Sequence, residues 1–286
     1  MAEVAQENLE AQEAWDGVLF DRFLAFRHLM VGLVQHGEAA LRLEPPAAGD
    51  RVLDVGCGFG DSTVSIAELV GPDGSVLGVD VAPRFVAAAR TEAAGVPNAS
   101  FRVCDVEVTT FDETFDYAFA RFGTMFFANP VAALRNVRRA LVPGGRFVSV
   151  VWRQKVDNPW MHTAETVVKP LIEEPEETDE PRCGPGPFSM ANADTVTGQL
   201  LSAGFEHVTL HRVDLPFLIG RDLDEAVEFN LALGPAAEAI RLAGSEGEAI
   251  RPHVASLVRE ALTPFATADG VIAGSSTWTI VATTGT

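Results

Sequence analysis

The sequence is poor in positive charge and contains no long apolar segment. Its 21 lysine and arginine residues stand against 40 aspartate and glutamate residues, which gives a net charge of −19. Binding to nucleic-acid phosphates requires clustered basic residues, so this balance argues against nucleic acid and anionic lipid as partners. No uninterrupted apolar run reaches about 18 residues, so no membrane span is predicted. The acidic segment 1–7 lacks the basic region of a secretory signal.

Cysteine is also scarce, and the common metal and hydrolase motifs are missing. Cys57, Cys104 and Cys183 are odd in number and widely spaced, so neither a disulfide framework nor a zinc pattern is predicted. A reducing cytoplasm fits this usage. His207 and His211 lie four residues apart without a nearby third ligand, so no metal is predicted. No H-E-x-x-H, G-x-S-x-G or Walker sequence occurs.

The most informative segment is the stretch 52–61, which reads VLDVGCGFGD. It predicts a buried strand, a glycine-rich turn and a helix that begins immediately afterwards. Glycine tolerates positive φ and has no Cβ, so a ligand can lie against the bare backbone. A second predicted strand, 75–80, ends in Asp80. A glycine turn beside an acidic strand end is typical of a nucleoside site, in which the carboxylate binds a ribose diol.

The spacing of the glycines distinguishes between two kinds of nucleoside. A dinucleotide site requires G-x-G-x-x-G, with a diphosphate at the start of the helix. Here the glycines are Gly56, Gly58 and Gly60, and Asp61 occupies the position of the third dinucleotide glycine. A carboxylate there would repel a diphosphate but not a sulfonium or an amino group. The order D-x-G-x-G-x-G resembles motif I of the class I S-adenosylmethionine-dependent methyltransferases, in particular the type 11 and quinone-biosynthesis C-methyltransferase-like small-molecule enzymes.

Alternating strands and helices predict an α/β fold. Strands are predicted at 51–56, 75–80, 99–104, 115–120, 145–152, 205–214 and 277–283. Repeated strand–helix units specify a parallel sheet with helices on both faces. The L-x-P-G-G turn at 141–145 lies where the resemblance expects it, before the fifth strand. The resemblance implies a Rossmann-like seven-stranded sheet whose last strand is antiparallel.

Four regions are predicted along the chain. Residues 1–44 are expected to form an N-terminal helical lid, and 45–152 the cofactor-binding core. The segment 153–189 is predicted to be an irregular acidic loop. The remainder, 190–286, completes the sheet and carries a helical cap at about 216–275, inserted before the last strand.

The resemblance implies that the cofactor is S-adenosyl-L-methionine, with S-adenosyl-L-homocysteine as product. The backbone of the turn, including Cys57, is expected to run beside the methionine and the ribose. Asp54 is expected either to orient the turn or to meet the amino group, and Asp80 to accept both ribose hydroxyls.

The ends of the next strands are expected to bind the base and the tail of the cofactor. Val81 is predicted to pack on the adenine, and Cys104 and Asp105 end the third strand. The Asp105 carboxylate is predicted to accept from the adenine N6 amino group, and the Val106 N–H to serve N1. A turn or capping role for Asp105 stays open. Arg121 and Phe122 follow the fourth strand, and Arg121 either contacts the cofactor tail or the substrate, or forms a structural ion pair.

No catalytic residue is identified by sequence. His28 and His162, with Arg121, are the only candidates, and a surface or packing role for either histidine is the stronger interpretation. Related enzymes often have L-H-H after the fourth strand, where this chain has the apolar sequence 124–127, which predicts an apolar floor or ordinary core packing. The predicted walls of the acceptor pocket, each of which core packing would also explain, are Trp15, Phe20, Phe23, Phe26, Trp152, Trp160 and Phe188.

These observations predict a cytoplasmic, bacterial methyltransferase acting on an O, N or C atom of a small hydrophobic or aromatic molecule. Two alternatives remain. One is a protein that binds S-adenosylmethionine without turnover, and the other is a nicotinamide-dependent oxidoreductase, which would require the missing third glycine.

Overall fold

A computed structural model describes residues 4–172 and 184–285. Cys183 and the acidic run 173–181 lie outside the described residues. Within these ranges eight strands form one sheet. The strands are β1 Arg51–Val55, β2 Ser75–Asp80, β3 Ala99–Val103, β4 Phe115–Arg121, β5 Leu141–Trp152, β6 Glu206–Gly220, β7 Ala266–Thr267 and β8 Gly270–Thr283.

The strand order confirms the predicted Rossmann-like sheet. It runs β3-β2-β1-β4-β5-β8-β6, with β7 paired only to β8. Strands β1 to β5 are mutually parallel, whereas β8 is antiparallel to both β5 and β6. The last long strand is therefore inserted between the fifth and the sixth, as expected. The two-residue strand β7 was not predicted because it is too short to show a periodic pattern.

The central strands are apolar on both faces because helices cover both sides of the sheet. In β1 every residue after Arg51 is buried, and the middle of β4 is buried throughout. The helices are α1 Leu9–Ala14, α2 Phe20–Ala25, α3 Val31–Leu43, α4 Asp61–Val70, α5 Pro83–Glu92, α6 Pro130–Ala140, α7 Pro159–Val168, α8 Ala193–Ala203, α9 Leu223–Asn230, α10 Pro235–Leu242 and α11 Gly244–Leu262.

Helix starts follow the local sequence. The Asn129 side chain caps α6 by accepting from Ala132 N, and Pro130 occupies the first helical position. Gly204 ends α8 in the left-handed conformation, at φ 95°. Between α1 and α2 the chain makes a π-type turn, in which Gly17 has non-helical angles. The N-terminal region is thus helical but broken.

Two predicted boundaries are wrong. The segment 153–189 was expected to be irregular, yet it contains α7, which begins at Pro159 and buries Trp160, Met161, Ala164 and Val168 on one face. The cap was expected over 216–275, but β6 continues to Gly220 and β8 begins at Gly270, so its helices occupy only 223–262. Pro216 does not end β6 because β6 is an edge strand, where a missing N–H is tolerated. No helix within the described ranges is both long enough and apolar enough to cross a membrane.

Candidate functional site

The carboxyl ends of β1 to β4 open into a cavity of about 710 Å³, within the range of about 300–1,000 Å³ usual for ligand pockets. The N-terminal segment covers one side of it through residues from Asn8 to Leu33. The loops after the strands form the floor, and α7 and α10 close the far side. This is where ligands bind in open α/β sheets.

The glycine turn after β1 presents bare backbone to this cavity. Gly56 and Gly58 have positive φ values of 70° and 53°. A Cβ on Gly56 would lie 3.1 Å from the Cα of Gly123, so this glycine allows the loops after β1 and β4 to touch. A Cβ on Gly58 would meet only Phe85, at 4.0 Å. Gly58 therefore lines the cavity on an open side, where a ligand can approach its backbone.

Asp54 and Gly60 do not line the cavity, so the cofactor contacts predicted for them are replaced by supporting roles. The Asp54 Oδ2 accepts from the Ser62 and Thr63 hydroxyls, at 2.7 and 2.6 Å. Burial raises the pKa of this carboxyl. Gly60 has φ 87°, and a Cβ there would approach Phe101 within 3.0 Å. Both residues hold the start of α4 in place, which is the turn-orienting alternative for Asp54.

Asp80 lies at the end of β2, and its two oxygens accept from backbone N–H groups of two different loops. Its Oδ2 accepts from Gly58 N at 2.9 Å, and its Oδ1 accepts from Ala82 N at 3.0 Å. Burial raises the pKa of this carboxyl to about 6, although the two N–H donors oppose the rise. Each carboxylate oxygen can accept a second hydrogen bond, so Asp80 can bind a diol in the cavity it lines.

The end of β3 is tied to the N-terminal segment. The Asp105 Oδ2 accepts from Ala5 N at 3.0 Å and from Asn8 Nδ2 at 2.8 Å, and its Oδ1 accepts from Glu107 N at 2.9 Å. Cys104, Asp105 and Val106 all line the cavity, as does Val81. Burial raises the pKa of the Cys104 thiol to about 11, and that of Cys57 well above its usual value. Neither thiol is therefore a thiolate at neutral pH.

Glu107 was missed by sequence analysis. It is buried and lines the same end of the cavity. Its Oε2 accepts from Asn129 N at 3.0 Å, whereas its Oε1 has no hydrogen-bond partner among the described residues. Burial raises the pKa of this carboxyl. Nothing in the local sequence distinguishes Glu107 from an ordinary loop glutamate, because its burial depends on the N-terminal segment and on the loop before α6.

The opposite end of the nucleoside region is charged. Arg121 pairs with Asp61 at 3.5 Å, and Arg27 of the N-terminal segment pairs with the same carboxylate at 2.9 Å. The Arg27 guanidinium also lies over the Phe59 ring, at 4.0 Å. Arg121, Asp61 and Arg27 all line the cavity. Arg121 thus forms the predicted structural ion pair and also lines the cavity, and its contact with the cofactor tail or the substrate stays a prediction.

Five of the predicted aromatic walls line the cavity, namely Trp15, Phe23, Trp152, Trp160 and Phe188. Phe122 lies beside them in a left-handed conformation, φ 60°, and stacks on Trp152 with ring centres 4.2 Å apart. A bulky residue with positive φ is rare and clusters at functional sites.

The predictions for Phe20 and Phe26 are wrong, because neither lines the cavity. Phe20 packs on Phe59 and Phe85 and lies beneath the Arg84 guanidinium. Phe26 packs against Phe229, with ring centres 5.5 Å apart.

The histidine candidates do not reach the cavity either. His28 is about half exposed, and its Nε2 lies 2.9 Å from Glu225. The His162 Nδ1 lies 3.4 Å from the Glu165 Oε2. Both side chains are partly exposed and pair with carboxylates, Glu225 and Glu165. In the described part of the chain, no group of three His, Cys, Asp or Glu side chains is arranged to bind a metal.

Several further lining residues come from segments that were predicted only coarsely. Met125, Phe126 and Phe127 form part of the floor, as the apolar sequence 124–127 suggested. The cavity residues that sequence reasoning missed include Met30, Lys155, Met161, Glu165, Lys169, Phe217, Phe229, Leu233, Glu238 and Leu242. They lie on or next to α3, α7, β6, α9 and α10, and only the tertiary structure shows which of their side chains line the cavity.

A glycine turn, the Asp80 carboxylate and further buried carboxylates lie together at the carboxyl ends of parallel strands, an arrangement typical of nucleoside sites in Rossmann-like folds. Residues 46–195 match the family model described as a methyltransferase domain. The chain belongs to this methyltransferase family. The predicted family, and with it S-adenosyl-L-methionine as cofactor, is thereby confirmed.

Two curated relatives match parts of the chain. Aklanonic acid methyltransferase DauC from Streptomyces sp. (strain C5) is 38% identical over 122 residues, which cover 41% of this chain and 56% of DauC. Demethylmenaquinone methyltransferase from Staphylococcus aureus is 34% identical over 101 residues, covering 35% of this chain and 42% of the relative. The match thus spans about half the length of these relatives.

Two solved structures share the fold. The YcgJ protein from Bacillus subtilis has a TM-score of 0.56 at 17% identity, covering 88% of this chain and 99% of its own. A putative methyltransferase from Bacillus halodurans C-125 has a TM-score of 0.56 at 18% identity, covering 87% and 99%. At such identities the likeness supports the fold alone.

Proposed function

We propose that the protein transfers the methyl group of S-adenosylmethionine to a small, flat organic acceptor. The single observation that carries this proposal is the continuous cavity, which joins the glycine turn and Asp80 to a wall of aromatic rings. One end suits a nucleoside, and the other suits an apolar ring system.

The residues present fit the cofactor. Gly58 leaves open space where a Cβ would project, and Asp80 retains acceptor capacity on both oxygens for the ribose hydroxyls. Asp105 and the Glu107 Oε1, which has no partner in the described part of the chain, offer acceptors for the adenine amino group. Arg121 and Arg27 offer donors for the methionine carboxylate, and Asp61 a counter-charge for its amino group.

The chain's part in the reaction is positioning and exclusion of water. The cofactor supplies an electrophilic methyl group on a sulfonium. Trp152, Trp160 and Phe188 can hold an acceptor behind that methyl group, and such positioning contributes roughly 7–11 kcal/mol of barrier reduction. A base is required only if the acceptor atom loses a proton. The acceptor atom, whether O, N or C, is not determined by these residues.

Nothing in the cavity favours the two alternatives. A dinucleotide motif requires a third glycine at the start of the helix, where this chain has Asp61 as the first residue of α4, so a nicotinamide dinucleotide is disfavoured. A protein that only binds the cofactor would not require the additional aromatic end of the cavity, which extends beyond the nucleoside region. We further propose that the protein acts in a bacterial cytoplasm, without nucleic-acid or membrane partners. Two buried free thiols and a net charge of −19 support this setting.

The test is product formation. Purified protein is incubated with S-adenosylmethionine and fractions of a bacterial small-molecule extract, and S-adenosylhomocysteine is quantified by mass spectrometry. At least one fraction is expected to raise its production, and the Asp80→Ala variant should lose the signal. If the protein binds the cofactor but no fraction yields S-adenosylhomocysteine, the result would instead support the alternative of a protein that binds S-adenosylmethionine without turnover.

A further inference from the structure

Lysine is almost absent from this chain, yet both of its lysines line the cavity. Of the 21 basic residues only Lys155 and Lys169 are lysines, and all the others are arginines. Lys155 lies in the turn after β5, and Lys169 directly follows α7. Both belong to the cavity wall beside Phe188. Their presence in one cavity is therefore not explained by a surface that is rich in lysine.

One buried carboxylate holds the two ammonium groups together. Glu165 is only 6% exposed, and its Oε1 forms a short ion pair with the Lys155 Nζ and a longer one, of 3.7 Å, with the Lys169 Nζ. Burial acts to raise the pKa of Glu165, but hydrogen bonds from Lys155 and His162 and the charges of both lysines lower it below its usual value. Glu165 is therefore ionised at neutral pH.

The charges in this cluster do not cancel. Among the described residues, these two ammonium groups face the single carboxylate of Glu165, which gives this cluster a net positive charge in an otherwise strongly acidic protein. A structural ion pair would need only one lysine. Each ammonium has three donors, and Glu165 uses only part of this capacity. The lysine side chains are 38% and 55% exposed, so their remaining donors are accessible.

The adjoining wall is aromatic and flat. Trp160 stacks on Phe217 with ring centres 4.1 Å apart and planes 4° apart, and it lies 6.1 Å from Phe229. All three line the cavity. The other cavity cations, Arg27 and Arg121, both pair with Asp61 on different elements, near the glycine turn. The two lysines thus form a separate positive group beside the aromatic wall.

We propose that Lys155 and Lys169 bind an anionic oxygen group of the acceptor, a carboxylate or a phenolate, while the ring system of the acceptor lies against the aromatic wall. This inference rests on the proposed function and specifies its substrate class as planar aromatic anions. An anion entering an apolar cavity loses its hydration and therefore requires a charged partner there. Charge-assisted hydrogen bonds from two ammonium groups supply that partner.

The experiment compares two probes of equal shape and different charge. 2-Naphthoate and its neutral amide, 2-naphthamide, are titrated by calorimetry into protein saturated with S-adenosylhomocysteine. The wild-type protein is expected to bind the carboxylate at least about tenfold more tightly, as hydrogen bonds to a charged group require. Lys155→Met and Lys169→Met should each reduce this preference, and the double variant should abolish it. A parallel titration with 2-naphthol at pH 7 and pH 10 distinguishes phenolate from carboxylate recognition.

Arg42→Met is the matched control. Arg42 is 68% exposed and pairs weakly with Glu38 at 3.6 Å on the outside of α3, so its removal changes the net charge without touching the cavity. The Arg42→Met variant should prefer 2-naphthoate over 2-naphthamide by the same factor as the wild type. Equal affinity of the wild type for the two naphthyl probes would overturn the inference, as would a preference that survives in the double variant. The naphthyl probes are also titrated into cofactor-free protein, so that the preference for the carboxylate can be measured even if S-adenosylhomocysteine does not bind. A failure to bind S-adenosylhomocysteine would refute the proposed function and not the role of the two lysines.

Discussion

Asp80 allows the cofactor assignment to be tested with a defined magnitude. Its two oxygens already accept from Gly58 N and Ala82 N, at 2.9 and 3.0 Å, which fixes the carboxylate at the cavity wall. If the ribose hydroxyls take the remaining lone pairs, each hydrogen bond to this charged group contributes about 1.5–3 kcal/mol. Asp80→Ala is therefore expected to weaken S-adenosylhomocysteine binding by about 3 kcal/mol, or roughly a hundredfold.

A second ligand separates the ribose contact from damage to the turn, because the substitution also frees two backbone donors. Removal of the 2′-hydroxyl from S-adenosylhomocysteine should cost the wild-type protein about 1.5–3 kcal/mol of calorimetric binding free energy. The same change should cost the Asp80→Ala variant almost nothing. If the wild type and the variant lose equal affinity on removal of the hydroxyl, Asp80 does not bind the ribose, and the reasoning is refuted.

Three further predictions concern pH and the turn. Burial raises the pKa of Asp80 to about 6, so the cofactor affinity measured by calorimetry should fall as the pH drops below about 6. The Asp80→Asn variant should not show this fall. A wild-type affinity that stays constant from pH 7.5 to 5 would contradict the prediction. His36 is buried in α3, where its Nε2 lies 2.7 Å from the Ser275 hydroxyl. Burial lowers the pKa of His36 to about 4, whereas an unfolded histidine takes up its proton near pH 6.5. The free energy of unfolding in urea should therefore fall by up to about 3 kcal/mol between pH 7 and 4. His36→Gln should flatten that slope, and an unchanged slope would exclude His36 as its cause. Gly58→Ala should bind the cofactor at least about tenfold more weakly than the wild type, with a modest loss of stability. In Gly56→Ala the new Cβ would lie 3.1 Å from Gly123, so this variant should lower the melting temperature more than Gly58→Ala does. Equal effects of the two substitutions on binding and on stability would contradict the different roles given to the two glycines.

The sheet could be predicted because its information is local. The strands β1, β4 and β5 contain long buried apolar stretches, and the parallel order of the sheet follows from the alternation of strands with helices. The turn at 56–60 and the acidic end of β2 could also be placed, since the carboxyl ends of parallel strands lie at one edge of a sheet. The missed helix α7 starts at Pro159 after a polar turn, and the acidic composition beyond it obscured its apolar face.

The side-chain directions in the N-terminal segment could not be predicted. The break at Gly17 changes the rotation of the following helix relative to the preceding one. As a result Trp15 and Phe23 line the cavity, whereas Phe20 packs against Phe59 and Phe85. A regular helical period through 15–23 does not predict which of these side chains face the cavity, because the helix is broken at Gly17. Phe26 likewise faces the cap, because α9 approaches it from a distant part of the chain.

The lysine pair and Glu107 depend on contacts between segments far apart in sequence. Glu107 is buried next to Asn129, 22 residues later, and only the folded structure shows that its Oε1 has no partner among the residues described. Lys155 and Lys169 come together through Glu165 because α7 is a helix, in the region predicted to be irregular. The acceptor side was therefore the part of the site least accessible from sequence.

The most direct test of the central claim is a calorimetric titration of the purified protein with S-adenosylhomocysteine, followed by NADH as a competitor. The cavity built from the glycine turn, Asp80 and Asp61 predicts saturable binding of one S-adenosylhomocysteine per chain that NADH does not displace. Well-folded protein that fails to bind S-adenosylhomocysteine, or that releases it to NADH, would contradict the assignment of this site to a sulfonium nucleoside.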